Sequence, residues 1–342
     1  MAKLILVDGS SIINACFFAT VPREYFIAKS PEERKFILPR IMKTRTGIFT
    51  NGVFAMMKSL KRLIKNQQPS HLAIAWDVSR ETFRRAMYPD YKANRSETAP
   101  ELKSQFILMQ EILAAAGIAQ FMDQYYEADD FIGSLAHQFE EQIPVYIWTK
   151  DQDALQLVTD RTRLWLITNH AAELRKKYNH KDAAYPEGSF EFTPMLVKEV
   201  YGLYPPNQII DKKALEGDVS DNIPGVARVG EKTAIPLLQE FGSVEAIYEA
   251  LEDEKGFKEM CKELGIRSPL NALKNDREMA FLSKDLATIR CMQLDCKIDD
   301  LQLNIKWSAL NEKLRELEFH SLIEPNDLKP HSIEDFQGCL VL

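Results

Sequence analysis

The chain has no uninterrupted apolar run approaching the roughly 18 residues that a membrane-spanning helix needs, and Met1-Ala-Lys leads directly into the strand-like LILV. Neither a membrane span nor a secretory leader is visible, so the expected location is the cytoplasm. Cysteine is also scarce. Cys16, Cys261, Cys291, Cys296 and Cys339 are five in number, scattered and not paired at zinc-type spacing, which excludes a disulfide scaffold and fits reduced thiols. Low-complexity tracts and internal repeats are absent. An overall excess of positive charge is lacking too: the formal net charge is −7, so any attraction to nucleic acid must come from local patches.

What is present is an α/β alternation within 342 residues, enough for one large domain with an appended lobe. Lys3 to Val7, His71 to Trp76, Val145 to Thr149 and Arg163 to Ile167 are short runs rich in branched and aromatic side chains and read as buried strands. Helical patterns at Val53 to Ile64, Glu101 to Gly117 and Ala128 to Glu141 separate them, which predicts a mostly parallel sheet flanked by helices. The strand pattern ends by about Ile167, and beyond it the chain reads as helical with Pro and Gly punctuation. Two polar segments, roughly Pro22 to Arg45 and Thr168 to Ser189, read as insertions. The first is net basic, with Arg23, Lys29, Arg34, Lys35, Arg40, Lys43 and Arg45 against Glu24, Glu32 and Glu33, and is expected to extend a nucleic-acid surface.

Ligands of parallel sheets bind at the carboxyl ends of the strands, and here those ends carry acids. Asp8 follows LILV, Asp77 follows HLAIAW, and Asp151 and Asp153 follow VYIWTK. Glu127, Asp129 and Asp130 stand at a helix start in YEADDF, and Asp218 and Asp221 occur in GDVSD, making nine carboxylates from five places. A single such Asp is usually a helix cap or turn former. Converging, each bare pair about 4 Å apart costs on the order of 4 kcal/mol at an effective dielectric near 20. In these segments only Lys150 offers obvious neutralisation. Divalent cations resolve the repulsion, and an oxygen-only donor set selects Mg²⁺ or Mn²⁺ over zinc. Two ions suit nine acids better than one, and a two-metal site suits attack of water on a phosphodiester.

A phosphate substrate needs cations. Ser79 to Arg95 supplies Arg80, Arg84, Arg85, Lys92 and Arg95, interleaved with Phe83, Tyr88 and Tyr91 that can stack on unpaired bases. IPGVARVGEKTA has the pattern of a helix-hairpin-helix turn: Gly225 and Gly230 allow a tight backbone, and the next helix presents amide groups, Lys232 and Thr233 to a phosphate. Such an element holds backbone without reading sequence.

Together LVDGSS, FRRAMYPDYKANR, YEADDFIGSLA, KDQDALQL and GDVSDNIPGVARVGEKTA resemble the 5′ nuclease family, the flap endonucleases and 5′→3′ exonucleases, especially the bacteriophage enzymes and the N-terminal nuclease domain of bacterial DNA polymerase I. The resemblance runs from Lys3 to about Phe319. It implies a PIN-like metal-dependent core over 1–190 with a helical arch at about 78–117. A helical DNA-binding lobe over 191–325 with a helix-hairpin-helix at about 209–251 and a tail at 326–342 complete the expected organisation. By this likeness Asp8, Asp77, Glu127 and Asp129 hold a first metal, and Asp130, Asp151, Asp153, Asp218 and Asp221 hold a second or its waters. Lys92 and Arg95 would contact the scissile phosphate, Tyr91 would stack on a terminal base, and backbone carbonyls near Val226 and Val229 would hold K⁺. Arg84 and Arg85 fall among the expected DNA contacts.

The expected activity is Mg²⁺-dependent cleavage of DNA near 5′ ends, flaps or RNA primers, by a monomer working beside replication proteins. The absence of a polymerase-like stretch is read as a free-standing nuclease of phage or accessory bacterial kind. Exonuclease and flap-endonuclease activity use the same residues and stay open. The rival readings are a non-catalytic DNA-structure-binding protein that keeps the fold, and a ribonuclease on a related sheet.

Overall fold

The computed structural model describes residues 2–28, 30–180 and 185–324. Lys29 of the basic insertion, residues 181–184 of the second insertion, Cys339 and the expected tail at 326–342 lie outside the described residues.

Six strands form one sheet: β1 (Leu4–Asp8), β2 (His71–Asp77), β3 (Ala119–Asp123), β4 (Val145–Thr149), β5 (Thr162–Ile167) and β6 (Ser189–Phe192). Their order is β3-β2-β1-β4-β5-β6, with all neighbours parallel except the antiparallel β5–β6 pair. Side chains alternate between faces along a strand, and both faces here are covered. Leu4 and Leu6 of β1 join the core formed with the helix Ala128–Phe139, whereas Ile5 and Val7 point into the core formed with Asn51–Gln67 and Pro100–Ala116. That two-sided burial explains why β1, β2, β4 and β5 read as continuous apolar runs.

The sheet extends past Ile167, contrary to the sequence expectation. β6 is four residues long and antiparallel at the edge, and β3 is only partly buried, so neither carries the apolar run that marks a central strand. In the basic insertion, short helices at Glu24–Ile27 and Pro31–Ile37 pack through Tyr25 and Ile37 onto a small satellite core with Phe17 and Leu102. The segment expected as an arch consists of the short helix Phe83–Met87, a run of turns, and the long helix Pro100–Ala116.

After β6 the chain is helical. Gln208–Glu216 and Glu231–Phe241 flank a turn at 217–230, and Arg277–Ala287 packs across the first of them. Among the described residues no helix is long and apolar enough to cross a membrane.

Candidate metal and nucleic-acid site

With β1 between β2 and β4, the carboxyl ends of three adjacent parallel strands open on one edge of the sheet. Asp8 ends β1 and caps the helix Gly9–Thr20, accepting the Ser11 N–H at 2.9 Å; its second oxygen accepts the Thr149 hydroxyl at 2.6 Å. Gly9 must be glycine, since a Cβ there would lie 2.8 Å from Ile74 and Trp76. Asp77 ends β2, donates its N–H to Ser10 Oγ at 2.7 Å, and accepts the Ala128 N–H at 2.9 Å. Asp151 follows β4, donates its N–H to Thr149 Oγ1 and accepts the Asp153 N–H, each at 2.9 Å. Thr149 thus holds the Asp8 carboxylate and the Asp151 backbone, and Ser10 the Asp77 backbone. Sequence reading passed over both, although each stands within two residues of a candidate acid.

Glu127 and Asp130 form a reciprocal capping box at the start of Ala128–Phe139. Arg84 forks onto Asp130 at 2.9 and 2.8 Å, reaches Glu127 at 3.3 Å, and donates to the carbonyls of Leu286 and Thr288 at 2.9 and 2.8 Å. All five guanidinium N–H groups are engaged, and the residue is 2% exposed. Arg84 therefore corrects the expectation of a DNA contact: it is an internal tie between the short helix, the acids and the segment after Arg277–Ala287. Asp130 is corrected as well. One of its oxygens accepts the Arg290 N–H and the other the Glu127 N–H, besides both arms of Arg84, so it braces the site rather than offering a free donor.

Tyr91 also departs from its expected role. It is 5% exposed, packed with Ile223, Leu286 and Ala287, and its hydroxyl lies 3.2 Å from Glu127 and 3.3 Å from Asp221. A ring so enclosed offers no face to a base. Beside it Lys92 bonds Glu127 at 2.9 Å, and Arg95 pairs with Asp221. The turns holding these cations lie on the 218–222 loop: the Lys92 N–H donates to Asp221 O, Asn94 to Val219 O, and Asn222 to Asp90 O. Arg85 is half-buried beside Glu81.

The remaining acids meet a cation that sequence reading did not include. Lys213, on Gln208–Glu216, pairs with Asp153 and lies 2.5 Å from Asp218. Lys92, Arg84, Arg95 and Lys213 all neutralise acids from outside the acid-bearing segments, within which only Lys150 stood out. The sequence distance between partners hid them.

The charge is nevertheless unbalanced. Asp8, Asp77, Asp129 and Asp151 take part in no ion pair among the described residues. Burial, with the Asp77 charge beside it, pushes Asp8 up to about 6. Burial and the charges of Asp151, Asp8 and Asp77 push Asp129 well above the usual carboxylate range. Asp77 is raised by loss of hydration around its carboxyl, even though the strand tip is open to solvent. Asp153 is raised to about 6 by burial and Asp151, despite Lys213. Glu127 goes the other way: against burial, Lys92 and Arg84 hold it low. Lys213 and Ser220 bring Asp218 down to about 2 against the same opposition.

As the side chains stand, no three of the described acids are drawn up around one ion, because lysine and arginine occupy the gaps. The donor set still suits a hard divalent cation: oxygen only, four unpaired carboxylates, and raised pKa values that report uncompensated charge.

The turn after Asp221 is built on a close backbone crossing. A Cβ on Gly225, whose φ is +65°, would lie 2.2 Å from Gly217 N, so IPG and EGD are locked together. From the other side the Ser283 hydroxyl accepts the Gly225 N–H at 2.9 Å, and Asp276 accepts the Ala227 N–H at 2.8 Å. Gly230 differs from expectation. Its φ is −123°, and the positive-φ residues of the turn are Gly217, Asn222, Gly225 and Arg228. Gly230 precedes Glu231–Phe241, where Lys232 is exposed and Thr233 half-buried in the first turn. The Val226 and Val229 side chains are buried, and the Val226 carbonyl already accepts the Val229 N–H at 3.1 Å.

The family model described as 5′-3′ exonuclease, N-terminal resolvase-like domain, matches residues 3–184, and that described as 5′-3′ exonuclease, C-terminal SAM fold, matches 204–309. DNA polymerase I of Bacillus subtilis is 34% identical over 328 residues, which cover 94% of this chain and 32% of the polymerase. The chain spans about a third of the length of the curated relatives it matches. A T5 5′-exonuclease with bound zinc superposes with a TM-score of 0.56 at 19% identity, over 94% of this chain and 100% of that one. The catalytic core of Rad2 in complex with DNA substrate gives 0.54 at 15%, over 92% and 88%. At such identities the likeness is one of fold.

Proposed function

Because the chain belongs to the 5′-3′ exonuclease family, we propose that it hydrolyses phosphodiester bonds of DNA at or near 5′ ends, including flap junctions, with divalent metal at the acid cluster. The observation that carries this reading is the group of acids without a cation partner, Asp8, Asp77 and Asp151 at strand ends and Asp129 at a helix start, beside a basic segment and continuous through Asp221 with a hairpin.

Asp8, Asp77, Glu127 and Asp129 would hold one ion and Asp151, Asp153, Asp218 and Asp221 a second, with Mg²⁺ or Mn²⁺ as the natural occupants of oxygen-only sites. Bound there, the ions would lower the pKa of an attacking water and supply counter-charge to the leaving oxygen. The chain's own residues do the rest. The Ser11 N–H and the Thr149 hydroxyl fix the Asp8 carboxylate, Ser10 holds the Asp77 backbone, and Arg84 with Asp130 fixes Glu127. Lys92 and Arg95, the first half-buried and the second open to solvent, would turn from Glu127 and Asp221 to a scissile phosphate once metal charge satisfies those acids. Exposed Lys232 and the first amides after Gly230 would hold duplex backbone, and the carbonyls near Val226 and Val229 would be the site of any K⁺. The T5 and Rad2 proteins named above carry metal and DNA respectively, which supports both assignments here. The polymerase relatives suggest primer removal in replication as the biological task.

The test is cleavage of a 5′-labelled flap duplex with Mg²⁺, Mn²⁺ or EDTA. Metal-dependent release of an oligonucleotide ending near the junction is expected. Mononucleotides alone would restrict the activity to exonuclease, and binding without cleavage in either metal would support the non-catalytic reading.

A further inference from the structure

Lys213 stands where its charge does most. Its ammonium bonds two carboxylates from different parts of the fold: Asp153, in the turn after β4, and Asp218, in the loop leading to the hairpin. The side chain is 14% exposed, so the pairs are formed away from bulk water. Two carboxylates that both reach one Nζ are also close enough to share one metal ion, whose bonds to oxygen are about 2.0–2.1 Å for Mg²⁺. The single charge is too small for its surroundings, however. Asp151, which accepts the Asp153 N–H, has no ion pair among the described residues, so one ammonium serves three neighbouring acids.

We propose that Lys213 is a built-in counter-cation: its ammonium holds the gap between Asp153 and Asp218 in the metal-free enzyme, and a divalent cation enters those acids by exchange with it. The inference rests on the metal-site reading above. Three features make the exchange workable. A lysine ammonium is a point charge on a flexible four-carbon stem, so it can withdraw without moving its helix. Its neighbour Lys212 is paired elsewhere, with Glu216 and Glu231, and does not take its place. A doubly charged ion also neutralises more of the Asp151, Asp153 and Asp218 charge than the ammonium it replaces. The lysine would therefore keep the nuclease core and the hairpin-bearing loop together before metal arrives, at the cost of weaker metal affinity. The logic is that of any competing state: affinity is reduced by the fraction of molecules in which the site is already filled.

The measurement is calorimetric titration of full-length wild type, Lys213→Met and Lys213→Arg with Mn²⁺, together with thermal unfolding in EDTA and in saturating Mn²⁺. For Lys213→Met, the weaker Mn²⁺ event should tighten by about tenfold. Its unfolding temperature should fall by about 4 °C in EDTA and stay near wild type in Mn²⁺. Lys213→Arg, which keeps the competing charge, should bind Mn²⁺ no more tightly than wild type. Unchanged or weaker Mn²⁺ binding by Lys213→Met, or an equal fall in both media, overturns the proposal. Should Lys213→Met fail to fold in EDTA, its titration after refolding in Mn²⁺ and the Lys213→Arg comparison decide the matter. If wild type itself binds no Mn²⁺, the metal-site reading has failed and the exchange with it, an outcome that the wild-type titration alone identifies.

Discussion

Removing the phenolic oxygen of Tyr91 separates two roles for the same ring. If the ring stacked on a terminal base, Tyr91→Phe would be nearly silent, because phenylalanine stacks as well. In the structure the hydroxyl lies between Glu127 and Asp221, so the same change should cost about 1 to 2 kcal/mol of stability, read by urea unfolding, and leave DNA affinity unaltered. Unchanged stability together with unchanged DNA affinity would restore the stacking role. Asp151→Asn gives the complementary result. It removes a charge that raises both Asp129 and Asp153, so the metal-free protein should gain stability at neutral pH. Turnover should fall at least a hundredfold, roughly the upper end of what disturbing a ligand's supporting contacts costs, since here a proposed metal ligand is itself lost. Flap-duplex binding should persist. The acids other than Asp218 and Asp221 were legible in the sequence because they follow a strand run or stand at a helix start, and a parallel sheet gathers such ends. Their counter-ions were not: Lys213 lies 60 residues from Asp153, and Arg84 looked like every other cation of its segment until its five donors proved to be spent inside the protein.

At the scale of elements, the turn at 217–230 is one unit with two ends. Gly225→Ala forces a Cβ onto the Gly217 backbone at a positive φ, and should cost at least about 2 kcal/mol in urea unfolding. Since Gly217 precedes Asp218, the variant should also bind Mn²⁺ more weakly, a loss that a change confined to the DNA-holding end would not produce. Lys232→Ala touches only that end. It should lower the slope of log affinity against log salt by about one unit while leaving metal binding intact, and an unchanged slope would remove the hairpin from the DNA-holding surface. The proximity of acids and hairpin in EGDVSDNIPGVARVGEKTA was readable because both lie in one stretch of chain. The crossing of Gly217 and Gly225 was not, nor was the support from Ser283 and Asp276, which come from a helix and its cap 58 and 49 residues further on. β3 and β6 escaped for a related reason: an exposed or edge strand has no need of the apolar run by which a central strand is recognised.

For the molecule as a whole, the raised acids make stability, pH and metal one linked problem. A group whose folded pKa exceeds its unfolded value favours folding when protonated, and that contribution disappears as pH rises through the folded pKa. Asp8 and Asp153 are both at about 6, against about 3.9 when unfolded, so each penalises the metal-free fold above pH 6 by on the order of 3 kcal/mol and stops doing so below about pH 4. Asp218, held at about 2, acts oppositely, but its contribution is intact above pH 4 and does not alter the balance between pH 7.5 and 5. His71, lowered by burial, disfavours folding as it protonates in that window, yet it is one half-buried ring against Asp8, Asp153 and the also raised Asp77 and Asp129. In EDTA the protein should therefore be more stable at pH 5 than at pH 7.5. Divalent metal binds the ionised carboxylates, so saturating Mg²⁺ or Mn²⁺ should stabilise little at pH 5 and most at pH 7.5, reversing the order. Thermal unfolding across this range with and without metal reads both trends. A metal-free protein that instead loses stability steadily from pH 7.5 to 5 would mean that these carboxylates are already compensated in solution, leaving the cluster no need of metal charge.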